Sequence, residues 1–235
     1  KKNIFINYAP IYHSLGQRLV FSSLLNSNTL VLMRKFNFFE WEKSIEKYKV
    51  SILFPISSHL NLLVNSLLRK KNCYISVQKI VASSSQISQK TKNIILNKFK
   101  NIFYDTYGTS EVAFVSILKP SDYKLKKNSV GQILKDVKVN ILKFSRKNKY
   151  GEICCKTKLL SKFSKKEKNN ENIFYKKTFF RTGDLGYFDK KKYLYFVSRS
   201  KDIIIKSGLN IIPKTIEDKI LEDKFIKKCA VIGVK

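Results

Sequence analysis

The chain has 235 residues, 43% of them hydrophobic and 13% aromatic, and carries a formal charge of +30. That length can bury one large core or two modest ones, and that apolar content excludes wholesale disorder. No stretch approaches the roughly 18 apolar residues of a membrane-spanning helix and nothing resembles a signal peptide, so the expected location is the cytoplasm.

Up to about residue 120, strands alternate with helices. NIFINYAP reads as an apolar strand ending at a Pro, SLGQRLVFSSLLN as a helix and TLVLMRKF as a strand. FFEWEKSIEKYK has helical spacing, VSILFPI is again a strand, and SSHLNLLVNSLLRK is a helix capped by Ser57 or Ser58. QKIVASSS runs as a strand into a Ser-rich turn, SQKTKNIILNKF is a helix, and NIFYDTYG is a last strand. Strands apolar on both faces and separated by helices predict a parallel α/β sheet over 1–120. Over 121–198 the pattern becomes short strands, VGQIL, VKVNILK, GEICCKT and KYLYFVS, which predict an antiparallel, barrel-like sheet. Residues 161–176 form a low-complexity loop. Over 199–235 a hairpin, the helix PKTIEDKILED and the strand KKCAVIGV predict the start of a small α+β domain, with Ser198–Lys201 as a candidate hinge.

All but six of the 47 basic residues are Lys, spread through loops such as SRKNK. Readers of bases and phosphates favour the Arg fork, so the charge is taken as solvated and no specific nucleic-acid partner is expected. Cys73, Cys154, Cys155 and Cys229 lack metal-ligand spacing and read as reduced thiols. The only Met is Met33 and the chain stops on Lys235 just after CAVIGV, which leads us to expect a piece of a longer protein, truncated at both ends.

In open α/β sheets ligands bind at the carboxyl ends of strands. Three loops there carry chemistry: YHSLG (12–16), ASSSQ (82–86) and YDTYGTSEV (104–112). In the last, Tyr107 beside Gly108 can offer an aromatic face where backbone approaches closely. Thr109, Ser110 and Glu111 can hold phosphate oxygens and a divalent cation; the plainer alternative is a strand-ending turn. In RTGDLGYFDKKKYLYFVSRSKDIIIKSGLNIIP, Asp184 follows a Gly in what reads as a tight turn, and Arg199 lies just past an aromatic-rich strand. An Asx-turn is the plainer reading of that Asp.

YGTSE resembles the YGxTE signature of the adenylate-forming superfamily, the acyl- and aryl-CoA synthetases. FFRTGDLGYFD with SRSKDIIIKSGLNIIP is similar to its TGD and GRxKD regions, PIYHSLG to its His-containing segment, and VGQIL and GEICCKT to its later strands. These matches fall in the family's order across residues 8–217. The resemblance implies an AMP-binding domain over 1–198, its α/β part being 1–120 and its β-rich part 121–198, and the beginning of a mobile C-terminal domain over 199–235. It implies ATP, magnesium and coenzyme A as co-substrates and cofactor, and a small-molecule carboxylic acid that the sequence does not name.

By the same resemblance Asp184 and Arg199 hold the ribose, Tyr107 stacks on adenine, and Ser83, Ser84 and Ser85 wall the ring. Gly108, Thr109 and Ser110 lie along the phosphates, Glu111 binds magnesium, and His13 sits at the acyl pocket. Lys201 is the hinge of a rotation between two half-reactions; Lys206 and Gly208 enter the site in the second, where Gly208 leaves room for the pantetheine arm. SSSQ replaces a glycine-containing turn of the family, and Thr215–Ile216–Glu217 stands for its EIE. The family's Ser/Thr/Gly-rich phosphate loop and its late adenylation Lys are absent, so the chain alone is expected to be inactive. The whole protein is expected to be an ATP-dependent carboxylate–CoA ligase. The alternatives are an inactive nucleotide-binding remnant or an amino-acid adenylation module, with a polyanion-binding protein as a third.

Overall fold

The computed structural model describes residues 2–68, 74–83, 89–99, 101–126, 128–143, 149–160, 173–206, 209–223, 225–226 and 229–234. The chain divides into two units, residues 1–110 with 116–127, and residues 111–115 with 128–235.

The first unit alternates β1 (Ile4–Asn7), α1 (Ser14–Leu25), β2 (Thr29–Leu32), α2 (Phe38–Lys47), β3 (Ile52–Leu53), α3 (Ser57–Leu68), β4 (Lys79–Ser83), α4 (Gln89–Lys98) and β5 (Phe103–Thr109). The strands lie in the order β2-β1-β3-β4-β5 and every pairing is parallel. Parallel neighbours need a crossover, and each helix supplies one. Ile6, Leu53, Ile80 and Phe103 are buried from the strands, with Trp41 and Ile45, four apart on α2, buried against them. Asn37 caps α2 by accepting the Glu40 N–H at 3.1 Å. Glu42, one position past Trp41, is also buried; its carboxylate takes the Ser66 hydroxyl and, at 2.5 Å, the Tyr74 hydroxyl. Lys92 of α4 and Asp105 of β5 pair at 2.6 Å.

β6 (Ala113–Leu118) spans the division of the chain, and a 3-10 turn and α5 (Tyr123–Lys126) follow, with Tyr123 stacked on Phe103 at 5.8 Å. The second unit contains β7 (Gly131–Ile133), β8 (Val137–Leu142), β9 (Gly151–Thr157), β10 (Phe174–Tyr175), β11 (Phe179–Phe188) and β12 (Tyr193–Arg199). Their order is β7-β12-β11-β9-β8 with β10 added on β11, antiparallel throughout. β13 (Ile204–Lys206) and β14 (Leu209–Ile211) make a separate two-stranded antiparallel sheet, followed by α6 (Pro213–Ile220), where Pro213 occupies a first-turn position that needs no N–H.

The fold class is the expected one. Five local readings change. Within the expected loop 161–176, Phe174 and Tyr175 form β10, while residues 161–172 lie outside the described residues. β3 keeps only two ladder residues because the chain leaves the sheet at Phe54 and Pro55, which lacks an N–H. Ser57 lies inside α3, and Ile56 accepts the first helical bonds from His59 and Leu60, so neither serine is the cap. AFVSIL, not read as a strand, is β6. Residues 229–234 form no strand; they pass beside Ile204 without a ladder, an added Cβ at Gly233 meeting Ile204 Cγ2 at 3.1 Å.

Candidate functional site

In the second unit β11 and β12 run antiparallel with Asp184 directly opposite Arg199, so the fifteen-residue separation becomes a cross-strand neighbour pair. Arg199 Nε lies 3.1 Å from Asp184 Oδ1; the carboxylate side chain is 3% exposed and the guanidinium side chain 52%. Asp184 does not sit in a tight turn. It lies within a ten-residue strand whose register slips on both sides, between Arg181 and Leu185 toward β9 and between Leu185 and Gly186 toward β12. Toward β9 the extra residues lie in β11, a bulge within which the Asp184 carboxylate is buried, whereas toward β12 the extra residue is Val197 of β12.

Gly183 makes the bulge possible at φ +72°, in the left-handed region that a side chain resists. Thr182 Oγ1 donates to the Ile153 carbonyl at 2.7 Å and accepts the Asp184 N–H at 3.1 Å. Glu152 of β9 completes the support: Oε2 takes Arg181 Nε at 2.8 Å and Nη2 at 2.6 Å, and Oε1 takes the Gly183 N–H at 3.1 Å. The Glu152 hydrogen bond holds the Arg181 guanidinium in its charged form against the effect of its burial. Behind the bulge, burial pushes the free thiols of Cys154 and Cys155 up to about 12, with Asp184 a smaller contribution at Cys155. Lys201 lies exposed in the single 3-10 turn Ser200–Asp202, and Lys206 ends β13, also exposed.

In the first unit the chemistry gathers where β1 and β5 end. Asn7 Oδ1 accepts the Ala9 N–H at 2.9 Å, and the Pro10 carbonyl accepts the His13 N–H at 2.9 Å. These turns set His13 as the exposed N-cap residue of α1. Gly16 is needed there: a Cβ would stand 2.2 Å from the Pro10 carbonyl oxygen, so only glycine lets α1 close on the loop. Tyr107 is 8% exposed in β5, Gly108 is exposed, and Thr109 Oγ1 is a buried hydroxyl with no hydrogen-bond partner among the described residues. Ser110 follows in an exposed turn; Glu111, next in sequence but the first residue of the second unit, is half-buried. The Ser110 carbonyl accepts Arg18 Nη2 at 3.1 Å, and the Ser14 and Ser110 hydroxyls are 3.5 Å apart.

Ser83 ends β4, paired in register with Thr106, while Ser84, Ser85 and Gly208 lie outside the described residues. Sequence reasoning missed Arg18, Ser14 and Glu152. The GEI strand was recognised without a task for its Glu. Arg18 had one available signal, its scarcity in a chain where Lys is the ordinary cation.

The two sets of groups suit different chemistry. Hydroxyls beside a guanidinium suit phosphate oxygens, whereas a fixed carboxylate with a guanidinium suits a pair of sugar hydroxyls. Glu111 fits the usual way magnesium is held, by one or two carboxylates together with substrate phosphates.

The chain is 26% identical over 243 residues to a probable 4-coumarate–CoA ligase 2 of Dictyostelium discoideum, covering 100% of this chain and 44% of that protein. It is 28% identical over 228 residues to a 2-succinylbenzoate–CoA ligase of Lactococcus lactis, covering 95% of this chain and 47% of that protein. The structure of an O-succinylbenzoate coenzyme A synthetase from Bacillus subtilis, in complex with ATP and magnesium ion, matches with a TM-score of 0.86 at 25% identity, over 99% of this chain and 49% of that one. The chain therefore spans a little under half the length of these relatives. The model of the AMP-binding enzyme family matches residues 1–163, more than half of the chain, and the chain belongs to that family.

Proposed function

We propose that this chain is the nucleotide-handling part of an ATP-dependent carboxylate–CoA ligase that forms an acyl-adenylate and then a thioester. The observation that carries the reading is the Asp184–Arg199 pair on its braced bulge. Asp184 accepts the ribose hydroxyls, which an ionised carboxylate held in one place does better than a mobile one. Arg199 closes on the ribose from the solvent side. Tyr107 stacks on adenine, and Ser83, Ser84 and Ser85 wall the ring. Gly108 gives the nucleotide access to the β5 backbone, and Thr109 and Ser110 hold phosphate oxygens. Glu111 takes the magnesium ion, which supplies charge neutralisation at those phosphates. His13 faces the carboxylic acid, and the Lys206–Gly208 loop serves coenzyme A. The named activities of the ligase relatives support a carboxylic acid, ATP and coenzyme A as the substrates.

Positioning and charge stabilisation are the catalytic means in this reading, without a covalent nucleophile. Titration calorimetry of the full chain with ATP tests it. Asp184→Asn and Asp184→Ala should each weaken ATP binding by on the order of 2–4 kcal/mol through lost charge-assisted bonds. ATP affinity unchanged in both variants, with their folded spectra intact, would remove Asp184 from the site and the reading with it.

A further inference from the structure

Arg18 is placed by two constraints that no sequence motif announces. Ser14 and Arg18 stand four apart on α1 and so share a face of that helix. Both reach one residue beyond the end of β5: Arg18 Nη2 donates to the Ser110 carbonyl at 3.1 Å, and the Ser14 and Ser110 hydroxyls stand 3.5 Å apart. Gly16, between them in sequence, is what allows α1 to start this close to the preceding loop. The neighbouring Thr109 hydroxyl is buried and has no hydrogen-bond partner among the described residues.

The guanidinium is partly buried, and burial alone lowers its pKa from the ordinary Arg value. Such a cation favours a nearby anion. A guanidinium also has five donors in a rigid fork, so the bond to the Ser110 carbonyl helps fix the plane of a group whose shape matches a phosphate. Lys, the chain's ordinary cation, has no such fork.

We propose that Arg18 is a phosphate-binding residue, holding an oxyanion of the nucleotide together with the hydroxyls of Ser14 and Ser110. This rests on the reading above that Ser110 lies on the phosphate side of the site, and it adds a charge to that side which the family signature does not supply. The bond to the Ser110 carbonyl makes Arg18 sensitive to the conformation of that turn, so phosphate binding and turn geometry are linked through one side chain.

Calorimetric titration of the full chain with ATP and, separately, with adenosine tests the proposal in wild type, Arg18→Lys and Arg18→Gln. Wild type should prefer ATP to adenosine. Arg18→Gln should lose roughly tenfold or more of that preference while keeping its adenosine affinity, and Arg18→Lys should fall between the two. An unchanged ATP-to-adenosine ratio in Arg18→Gln overturns the proposal. Equal loss of both ligands also overturns it, because Arg18 is then only a brace for the Ser110 turn. A wild-type chain that binds neither compound overturns the functional reading itself, and the role of Arg18 with it.

Discussion

Asp184 is a carboxylate removed from water, at 2% exposure, and the compensation comes from a guanidinium that is itself half in solvent. With one partner half in solvent, such a pair adds little net stability once desolvation of the carboxylate is counted. In the proposed function its task is to bind a polar ligand. Contrast His59, which is buried with no ion-pair partner among the described residues: its ring stacks on Phe36 at 3.7 Å between centroids and meets the edge of Tyr8 at 4.7 Å. Burial lowers its pKa from 6.5 to about 4, so the folded protein holds the neutral ring. The sign follows directly. Stability from this site is full above the unfolded value near 6.5, and it is lost as the pH falls from there toward 4, because the unfolded chain binds the proton first. One such group gives a slope of at most about 1.4 kcal/mol per pH unit. Urea midpoints between pH 7 and pH 4 should therefore fall less steeply for His59→Phe, which keeps an aromatic ring and removes the titration. Identical slopes would mean that His59 is not the group responsible.

On the scale of elements, the bulge in β11 is the feature that aims Asp184, and Glu152 on β9 is the residue that holds it. Its two oxygens bind both Arg181 and the Gly183 N–H, so it ties the side chain before the bulge to the backbone inside it. Glu152→Gln removes the charge that Arg181 needs and should lower stability by about 1–3 kcal/mol, with nucleotide affinity falling alongside. Denaturation midpoints and ATP titration check both parts, and a variant as stable as wild type would show that the bulge holds itself. The βα alternation of the first unit is legible because each strand segment is apolar on both faces and each helix spaces its apolar residues for one face. The Asp184–Arg199 partnership is legible only through family resemblance, since a spacing of fifteen says nothing about register until the hairpin is built. The bulge is not legible, because Thr-Gly-Asp reads equally well as a turn. Nor is β6: AFVSIL starts only four residues after the end of β5 at Thr109, and so close to β5 it looks like the end of one element, not the start of another. Arg18 is hidden for a third reason. Its importance depends on Ser110, 92 positions away, and no local pattern joins them.

For the whole molecule, a formal charge of +30 favours approach of the anionic substrates of the proposed reaction, a steering effect that salt should weaken. The two half-reactions ask for more than attraction, because adenylate formation and thioester formation need different groups near the same carbonyl. The family resemblance implies that the change is made about Lys201, and we propose that pivot here. The surroundings suit a pivot: Lys201 is exposed within one short 3-10 turn, Ser200–Asp202, which follows the end of β12, and β13 and β14 pair with each other in a sheet separate from that of β7–β12. Hinge positions absorb a change in φ and ψ, and proline forbids that change by fixing φ near −65° and restricting the residue before it. Lys201→Pro in the whole protein should therefore leave acid-dependent ATP–pyrophosphate exchange within roughly threefold of wild type while slowing thioester formation by roughly tenfold or more. Lys201→Ala, which removes the charge and keeps the backbone free, should leave both steps near wild type. If proline slows both steps equally, or alanine reproduces its effect, Lys201 acts through its side chain or its turn and the rotation has its pivot elsewhere.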